Sequence, residues 1–128
     1  MKKKVAALVL LAVLLLGGLF GSRLFSPTAA AGEKSVTVTV EHLNGETAEF
    51  AFVTSAEFLR AALEEQQLAA GEEREYGLWI TTVDGETADE AAQQWWGYTV
   101  NGETAAYGVE SQVVTDGDAY VFTLHEGW

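Results

Sequence analysis

The chain has 128 residues, with 7 lysines and arginines against 19 aspartates and glutamates, which gives a formal net charge of −12. That length is typical of a single domain. The sequence contains no cysteine, which excludes a disulfide scaffold, a cysteine-ligated metal site and a thiol nucleophile. The acidity also argues against a nucleic-acid-binding surface, because such a surface needs clustered lysine and arginine.

The charge is divided unevenly along the chain. Residues 1–31 contain four basic residues and no acidic one. Residues 32–128 contain three basic residues and all 19 acidic ones, a net charge of −16. This second part therefore favours neutral, aromatic or cationic partners over anionic ones.

The N-terminal segment has the order of a secretory signal. A basic run at residues 2–4 precedes an apolar stretch at residues 5–20, and Ala29 and Ala31 have the spacing of a cleavage site before Gly32. Residues 1–31 are therefore predicted to be a signal peptide or, if they are not cleaved, an N-terminal membrane anchor. In both cases the acidic part lies outside the cytoplasmic membrane, so we expect an extracellular or cell-envelope location.

A hairpin is predicted first in the exported part. Residues 36–40 alternate strictly between valine and threonine, which predicts a strand with one apolar face. Asn44 and Gly45 form the pair most favoured in a two-residue hairpin turn. Phe50 and Phe52 then lie two positions apart on the returning strand.

An amphipathic helix is predicted next, over about residues 55–70. Thr54 and Glu57 have the spacing of a capping box at its start. Apolar residues follow at helical spacing, and Gly71 is a suitable residue for the C-terminal cap.

Three further strands are predicted after the helix, at residues 76–83, 95–100 and 119–125, with a polar loop at residues 86–94. The order of hairpin, helix and strands predicts an α+β fold of the β-grasp type. In it, one helix packs on one face of a single mixed sheet, and the first and last strands lie parallel at its centre. After a linker at residues 32–35, the domain covers residues 36–128.

The polar residues predict no catalytic site and no metal site. The two histidines, His42 and His125, fall at predicted strand ends in solvent, and an enzyme would need them at one cleft. A histidine–carboxylate metal site lacks a third ligand at a suitable spacing. The Asp-Gly-Asp sequence at residues 116–118 predicts a turn, because it lacks the other oxygen ligands of a calcium loop.

The aromatic residues are more informative. Trp95 and Trp96 are adjacent on a strand, so they point to opposite faces. Trp96 shares its face with Tyr98 and is assigned to the core, which leaves Trp95 as a platform for a ligand. The reverse assignment stays open, as does burial of Trp95 beneath residues 86–94.

Three short sequences together resemble a known family. They are Trp-Gly-Tyr-Thr-Val-Asn-Gly at residues 96–102, Gly-Val at residues 108–109 and Asp-Gly-Asp at residues 116–118, before a closing aromatic strand. Over roughly residues 53–125 the chain resembles the transcobalamin-like C-terminal domain, known in bacteria as domain of unknown function 4430. In the vertebrate cobalamin carriers, a similar β-domain closes over the vitamin beside a helical domain.

The resemblance implies a β-grasp-like fold and an exported, non-enzymatic binding module for a small hydrophobic ligand such as cobalamin or another corrinoid. No cofactor is required for this role. The residues expected to bind the ligand are Trp95, Trp96, Tyr98 and Trp128. The alternative is a structural or adhesive module of the cell envelope, whose aromatic face contacts a cell-surface protein and not a small ligand.

Overall fold

The computed structural model describes residues 32–128, and the predicted leader at residues 1–31 lies outside that range. The described chain is mostly strands with one helix, as predicted. The strands are β1 (Lys34–Glu41), β2 (Thr47–Thr54), β3 (Ala69–Arg74), β4 (Gly77–Val83), β5 (Glu86–Thr87), β6 (Gln94–Val100), β7 (Glu103–Thr104) and β8 (Ala119–Glu126). The helix α1 spans Leu59–Glu65, and a 3₁₀ turn spans Glu90–Ala92. Among these residues, no helix has the length and apolar character needed to cross a membrane.

The larger sheet has the strand order β2-β1-β8-β6-β7. β1 pairs antiparallel with β2 and parallel with β8, so the prediction of parallel first and last strands inside the sheet is confirmed. β1 begins at Lys34 and therefore includes half of the predicted linker at residues 32–35. In this register, Val38 lies opposite Phe50 on one side and Tyr120 on the other.

The two faces of the larger sheet differ in burial. One face is buried, and the other carries residues that are half-buried or exposed. We call the second face the open face. Across β1, β8 and β6 it carries Thr37, Thr39, Val121, Thr123, His125, Trp95, Gly97 and Thr99.

Residues 69–87 form a second sheet with the order β3-β4-β5, so the predicted single sheet is wrong. A bulge between Ala70 and Gly71 shifts the register of β3 against β4. A Cβ atom on Gly71 would lie 1.9 Å from the Trp79 carbonyl oxygen, so this close approach requires glycine. Gly71 therefore serves strand pairing, and its predicted role as a helix cap is wrong. The assignment of the whole chain to the β-grasp fold stays a prediction.

The helix is much shorter than the predicted range of residues 55–70. Its N-cap is Phe58, which makes no side-chain capping bond. The Thr54 hydroxyl donates instead to the Glu65 carboxylate at the far end of the helix, so the predicted capping box with Glu57 does not form. The buried Thr54 side chain thus links the end of β2 to the C-terminal turn of α1 and does not cap the N-terminus of that helix.

The helix ends soon after Glu65 because the backbone reverses there. Gln67 adopts a left-handed φ of 55°, and the Leu68 amide donates to the Leu63 carbonyl. Leu68 is buried in the core, and β3 starts immediately after it. Residues 69–74 are therefore extended because they pair with β4, although their composition suits a helix end and a charged loop.

The Asn/Asp-Gly turns are of two kinds. At residues 84–85 and 101–102 both turn residues have positive φ, as in a two-residue hairpin turn. The predicted hairpin of β1 and β2 is confirmed, but it lacks the predicted two-residue turn at residues 44–45, because only Gly45 has a positive φ there. Five residues, 42–46, connect the paired ends of β1 and β2.

The core lies between the buried face of the larger sheet and a layer formed by α1 and the second sheet. Apolar side chains from both layers form one contiguous cluster, as expected for two packed layers. From the larger sheet it takes Val36, Val38, Val40, Trp96, Tyr120, Phe122 and Leu124, and from the other layer Leu59, Ala62, Leu63 and Val83.

Candidate functional site

The two adjacent tryptophans of β6 point to opposite faces of the larger sheet. Trp96 is buried in the core, and its indole N–H donates to the Glu86 carbonyl at 3.1 Å. Its assignment to the core is therefore confirmed. Trp95 lies on the open face, where its indole N–H donates to the Gly127 carbonyl at 2.9 Å. Neither tryptophan is free to turn, because each indole nitrogen is held by a backbone oxygen.

Trp95 forms an aromatic pair with His125 across the β6–β8 ladder. The ring centroids are 4.2 Å apart and the ring planes are inclined by 21°. Gly97 makes room for this pair, since a Cβ atom there would lie 2.8 Å from the Trp95 ring and 3.3 Å from the imidazole. We refer to Trp95 and His125 as the aromatic pair. His125 is exposed, as predicted, but its role beside Trp95 was missed.

A pocket of about 270 Å³ lies beside the aromatic pair on the open face. Indole, imidazole and valine surfaces provide its apolar walls, and threonine side chains provide hydroxyl groups. One of these hydroxyls, on Thr123, donates to the Glu41 carboxylate at 2.7 Å. The pocket is lined by Trp95, Gly97, Tyr98, Thr99, Thr104, Val121, Thr123 and His125. Such a site can receive the flat or apolar edge of a ligand.

Tyr98 is a half-buried residue that also lines this pocket. Its ring stacks on Phe122, with centroids 4.9 Å apart, and its hydroxyl donates to the Tyr107 carbonyl at 2.5 Å. Burial raises the pKa of Tyr98 to about 12. The phenol therefore stays neutral at physiological pH and holds the segment that follows β7.

The four residues predicted to bind a ligand do not form one cluster. Trp95 lies on the open face, Trp96 is in the core, and Tyr98 stacks on a core residue. Trp128 is 75% exposed, and it follows Gly127, whose carbonyl holds the Trp95 indole. Ligand binding by these residues stays a prediction, and the geometry favours Trp95 among them.

His42 occupies a different environment from the predicted one. It is partly buried, with its Nε2 atom 2.9 Å from an Asp84 oxygen and its Nδ1 atom 2.7 Å from a Glu86 oxygen. Its ring meets the Trp96 ring edge-on at 6.3 Å. The prediction that His42 lies in solvent is therefore wrong, and the five-residue loop after β1 explains how it reaches the second sheet.

The histidines also lie on opposite sides of the larger sheet, because His42 contacts Trp96 whereas His125 stacks on Trp95. The shared cleft that an enzyme hypothesis needs is therefore not formed by them. Within residues 32–128, no group of three or more histidine, aspartate and glutamate side chains is arranged to hold a metal ion.

The Asp-Gly-Asp turn at residues 116–118 has a structural role. The Asp118 carboxylate is buried and accepts hydrogen bonds from the Thr115 amide, the Asn101 side chain and the Tyr120 hydroxyl. This carboxylate therefore holds β8 to the turn after β6, which agrees with the prediction of a turn.

A larger cavity, of about 620 Å³, lies between α1 and the second sheet, away from the aromatic pair. Its charged wall is organised by Arg60, whose guanidinium donates to Glu64, Glu73 and Glu110. The hydrogen bond from Arg60 lowers the pKa of Glu73 below its usual value. Because the arginine is fully engaged, this cavity offers no free cation to a ligand.

Comparisons with known proteins place these features in a family. The family model for a domain of unknown function, DUF4430, matches residues 37–126. A crystal structure of a proposed metal-binding protein from Ruminococcus gnavus is 47% identical, with a TM-score of 0.72 over 74% of this chain and 99% of that one. No curated protein matches the chain.

Haptocorrin in complex with Cbi is a second similar structure, with a TM-score of 0.60 and 23% identity. The match covers 75% of this chain but only 26% of haptocorrin, and at this identity it shows a shared fold alone. It supports the predicted resemblance at the level of the fold. The chain belongs to the DUF4430 family, the one to which the sequence resemblance pointed.

Proposed function

We propose that this chain is an exported, non-enzymatic binding module that holds a small ligand on the open face of its larger sheet. The observation that carries the proposal is the aromatic pair of Trp95 and His125 beside an apolar pocket. A ring system held flat by neighbouring backbone and strand register loses little conformational entropy when a ligand stacks on it.

The specific ligand that we propose is cobalamin or another corrinoid. Two findings support it: the resemblance to the transcobalamin-like domain, and the fold shared with haptocorrin, which is described in complex with Cbi. A corrinoid offers a broad ring edge that carries methyl groups and amide side chains, which suit the apolar walls and the threonine hydroxyls of the pocket. The net charge of −16 over residues 32–128 disfavours strongly anionic ligands.

The size of the pocket indicates how such a ligand would be held. Sites that enclose a drug-sized ligand usually have volumes of about 300–1,000 Å³, and this pocket measures about 270 Å³. It would therefore receive one edge of a corrinoid, and a second protein surface would cover the remainder. We propose that Trp128 contributes to this contact, because it is 75% exposed and follows Gly127, whose carbonyl accepts a hydrogen bond from the Trp95 indole.

Calorimetric titration of the full-length chain with cyanocobalamin tests the proposal. We expect saturable heat, and we expect Trp95→Ala to weaken binding at least about tenfold, or about 1.4 kcal/mol. Trp79→Ala is the matched control, because Trp79 is 41% exposed but lies on the second sheet. No saturable heat up to about millimolar ligand, roughly −4 kcal/mol, would rule out the corrinoid.

A structural or adhesive module of the cell envelope is the second candidate. It is favoured by large aromatic side chains exposed outside the pocket, among them Tyr76 at 92% and Tyr107 at 62%. This candidate requires that residues 1–31 are retained as an anchor. Mass spectrometry of the mature N-terminus tests it, because a chain that begins near Gly32 in the medium would contradict retention.

A further inference from the structure

His42 contacts a carboxylate through each of its ring nitrogens. Asp84 lies 2.9 Å from Nε2 and Glu86 lies 2.7 Å from Nδ1. The side chains of all three residues are only partly exposed, at 17% for the histidine and 33% and 31% for the two acids. The Glu86 carboxylate oxygen also lies 3.3 Å from the Leu43 amide, which donates to it.

The geometry selects one protonation state of the imidazole. A neutral imidazole has one N–H donor and one lone pair, whereas an imidazolium has two donors. Both carboxylates are acceptors when ionised, so only the imidazolium of His42 can donate to both. The neutral ring would leave a lone pair facing one carboxylate at hydrogen-bond distance.

This cluster joins the two sheets. His42 lies in the loop between β1 and β2 of the larger sheet, and its two acidic partners lie in and after the turn between β4 and β5 of the second sheet. Trp96 strengthens the junction, because its ring meets the imidazole edge-on and its indole N–H donates to the Glu86 carbonyl. The cluster thus fixes the β4–β5 turn against the buried face of the larger sheet.

We propose that His42, Asp84 and Glu86 form a pH-sensitive latch that fastens the second sheet to the larger one when the imidazole is protonated. Loss of one imidazole proton removes the positive charge, so both ion pairs are lost and only one N–H remains to donate to a carboxylate. The β4–β5 turn is then held by fewer contacts, and the junction loosens. The latch does not depend on the proposed ligand, because it lies on the other side of β6 from the aromatic pair.

The balance of interactions at His42 favours the charged form. Burial lowers the pKa of His42, but the hydrogen bonds and charges of Asp84 and Glu86 outweigh burial and raise the pKa above its usual 6.5. These two carboxylates are the titratable groups that contact the imidazole within the described residues. Glu46, in the same loop, meets His42 through the backbone, where its carbonyl accepts from the His42 amide.

Proton NMR of the full-length chain tests the protonation step directly, because the chain has only two histidines. We expect the His42 C2 proton to titrate with a pKa above 6.5, and Asp84→Asn and Glu86→Gln each to lower it. His125→Gln assigns the other signal and should leave the His42 titration in place. A His42 pKa at or below 6.5 in the unmodified chain would overturn the proposal.

Thermal unfolding tests the mechanical role. Because the folded pKa is raised, the contribution of the latch is complete below about pH 6.5 and is lost as the pH rises through the folded value. The difference in melting temperature between the unmodified chain and His42→Gln should therefore be largest near pH 6 and shrink toward pH 9. Equal differences at both pH values would overturn the latch, and Glu103→Gln on exposed β7 is the control.

Discussion

The imidazole of His125 lies flat against the indole of Trp95, with ring centroids 4.2 Å apart. The two residues are direct partners in the antiparallel β6–β8 ladder, so strand register sets the contact. The Gly127 carbonyl holds the indole nitrogen, and Gly97 leaves the space over which the indole lies. The open face therefore presents a rigid aromatic surface beside a small apolar pocket.

Gly97→Ala should displace this aromatic pair. The added Cβ would lie 2.8 Å from the Trp95 ring, inside van der Waals contact, so the ring must move. We expect a loss of about 1–3 kcal/mol in the free energy of unfolding, as is typical of overpacking. Urea unfolding measures this loss, and the ring-current shift of the His125 protons reports the broken stack.

Gly108→Ala is the matched control for that substitution, because nothing lies within 4 Å of a Cβ atom at Gly108. It should change the unfolding free energy by about 0.5 kcal/mol or less. If Gly97→Ala behaves like this control, the ring of Trp95 does not lie over Gly97.

Gly71→Ala should disrupt the second sheet. Its Cβ would lie 1.9 Å from the Trp79 carbonyl oxygen, and a backbone atom cannot move aside as a side chain can. We expect a loss of about 3 kcal/mol or more in the free energy of unfolding. Amide NMR shifts should change most along β3 and β4, and unchanged shifts there would contradict the bulge between Ala70 and Gly71.

Asp118→Asn should destabilise the end of the larger sheet. One Asp118 oxygen accepts from the Tyr120 hydroxyl at 2.7 Å and from the Thr115 amide at 2.9 Å, and the other accepts from the Asn101 side chain at 2.9 Å. The side-chain NH₂ group of an asparagine here would point at one of the three groups that donate to Asp118. We expect this to lower the free energy of unfolding by about 2–3 kcal/mol. Chemical denaturation gives the value, and Glu103→Gln on exposed β7 is the control.

Tyr98 should ionise late in an alkaline titration. Burial raises the pKa of Tyr98 from 10 to about 12, so its contribution to stability is complete below pH 10 and is lost as the pH rises through 12. Absorbance at the phenolate band should show a step near pH 12 that Tyr98→Phe removes. Tyr76→Phe, at an exposed site, should leave that step unchanged. If the step disappeared in Tyr76→Phe, it would belong to Tyr76 and not to Tyr98.

Local patterns were sufficient for much of the larger sheet. Strict alternation over residues 36–40 and the aromatic alternation of residues 119–125 predict strands with one apolar face, since successive side chains point to opposite faces. The same rule separates Trp95 from Trp96, and the face shared with Tyr98 favours Trp96 for the core. The short motifs near the C-terminus were enough to indicate the family.

Local patterns were not sufficient for the second sheet. Residues 69–74 have the composition of a helix end and a charged loop, yet they form β3 because β4 offers a pairing partner and Gly71 admits a bulge. Because β3 begins at Ala69, the helix ends at Glu65 and is shorter than predicted. Intrinsic propensities differ by less than about 1 kcal/mol per residue, so tertiary pairing overrides them.

The sequence by itself determined the acidity of residues 32–128, the strand periodicity and the family, and it favoured Trp95 as the tryptophan that faces outward. Only the tertiary structure decided what the two histidines do. His125 meets Trp95 through the register of two strands, and His42 meets Asp84 and Glu86 through the packing of two sheets. Both contacts join residues distant in the chain, and side-chain periodicity reports which face a residue takes but not which residue lies opposite.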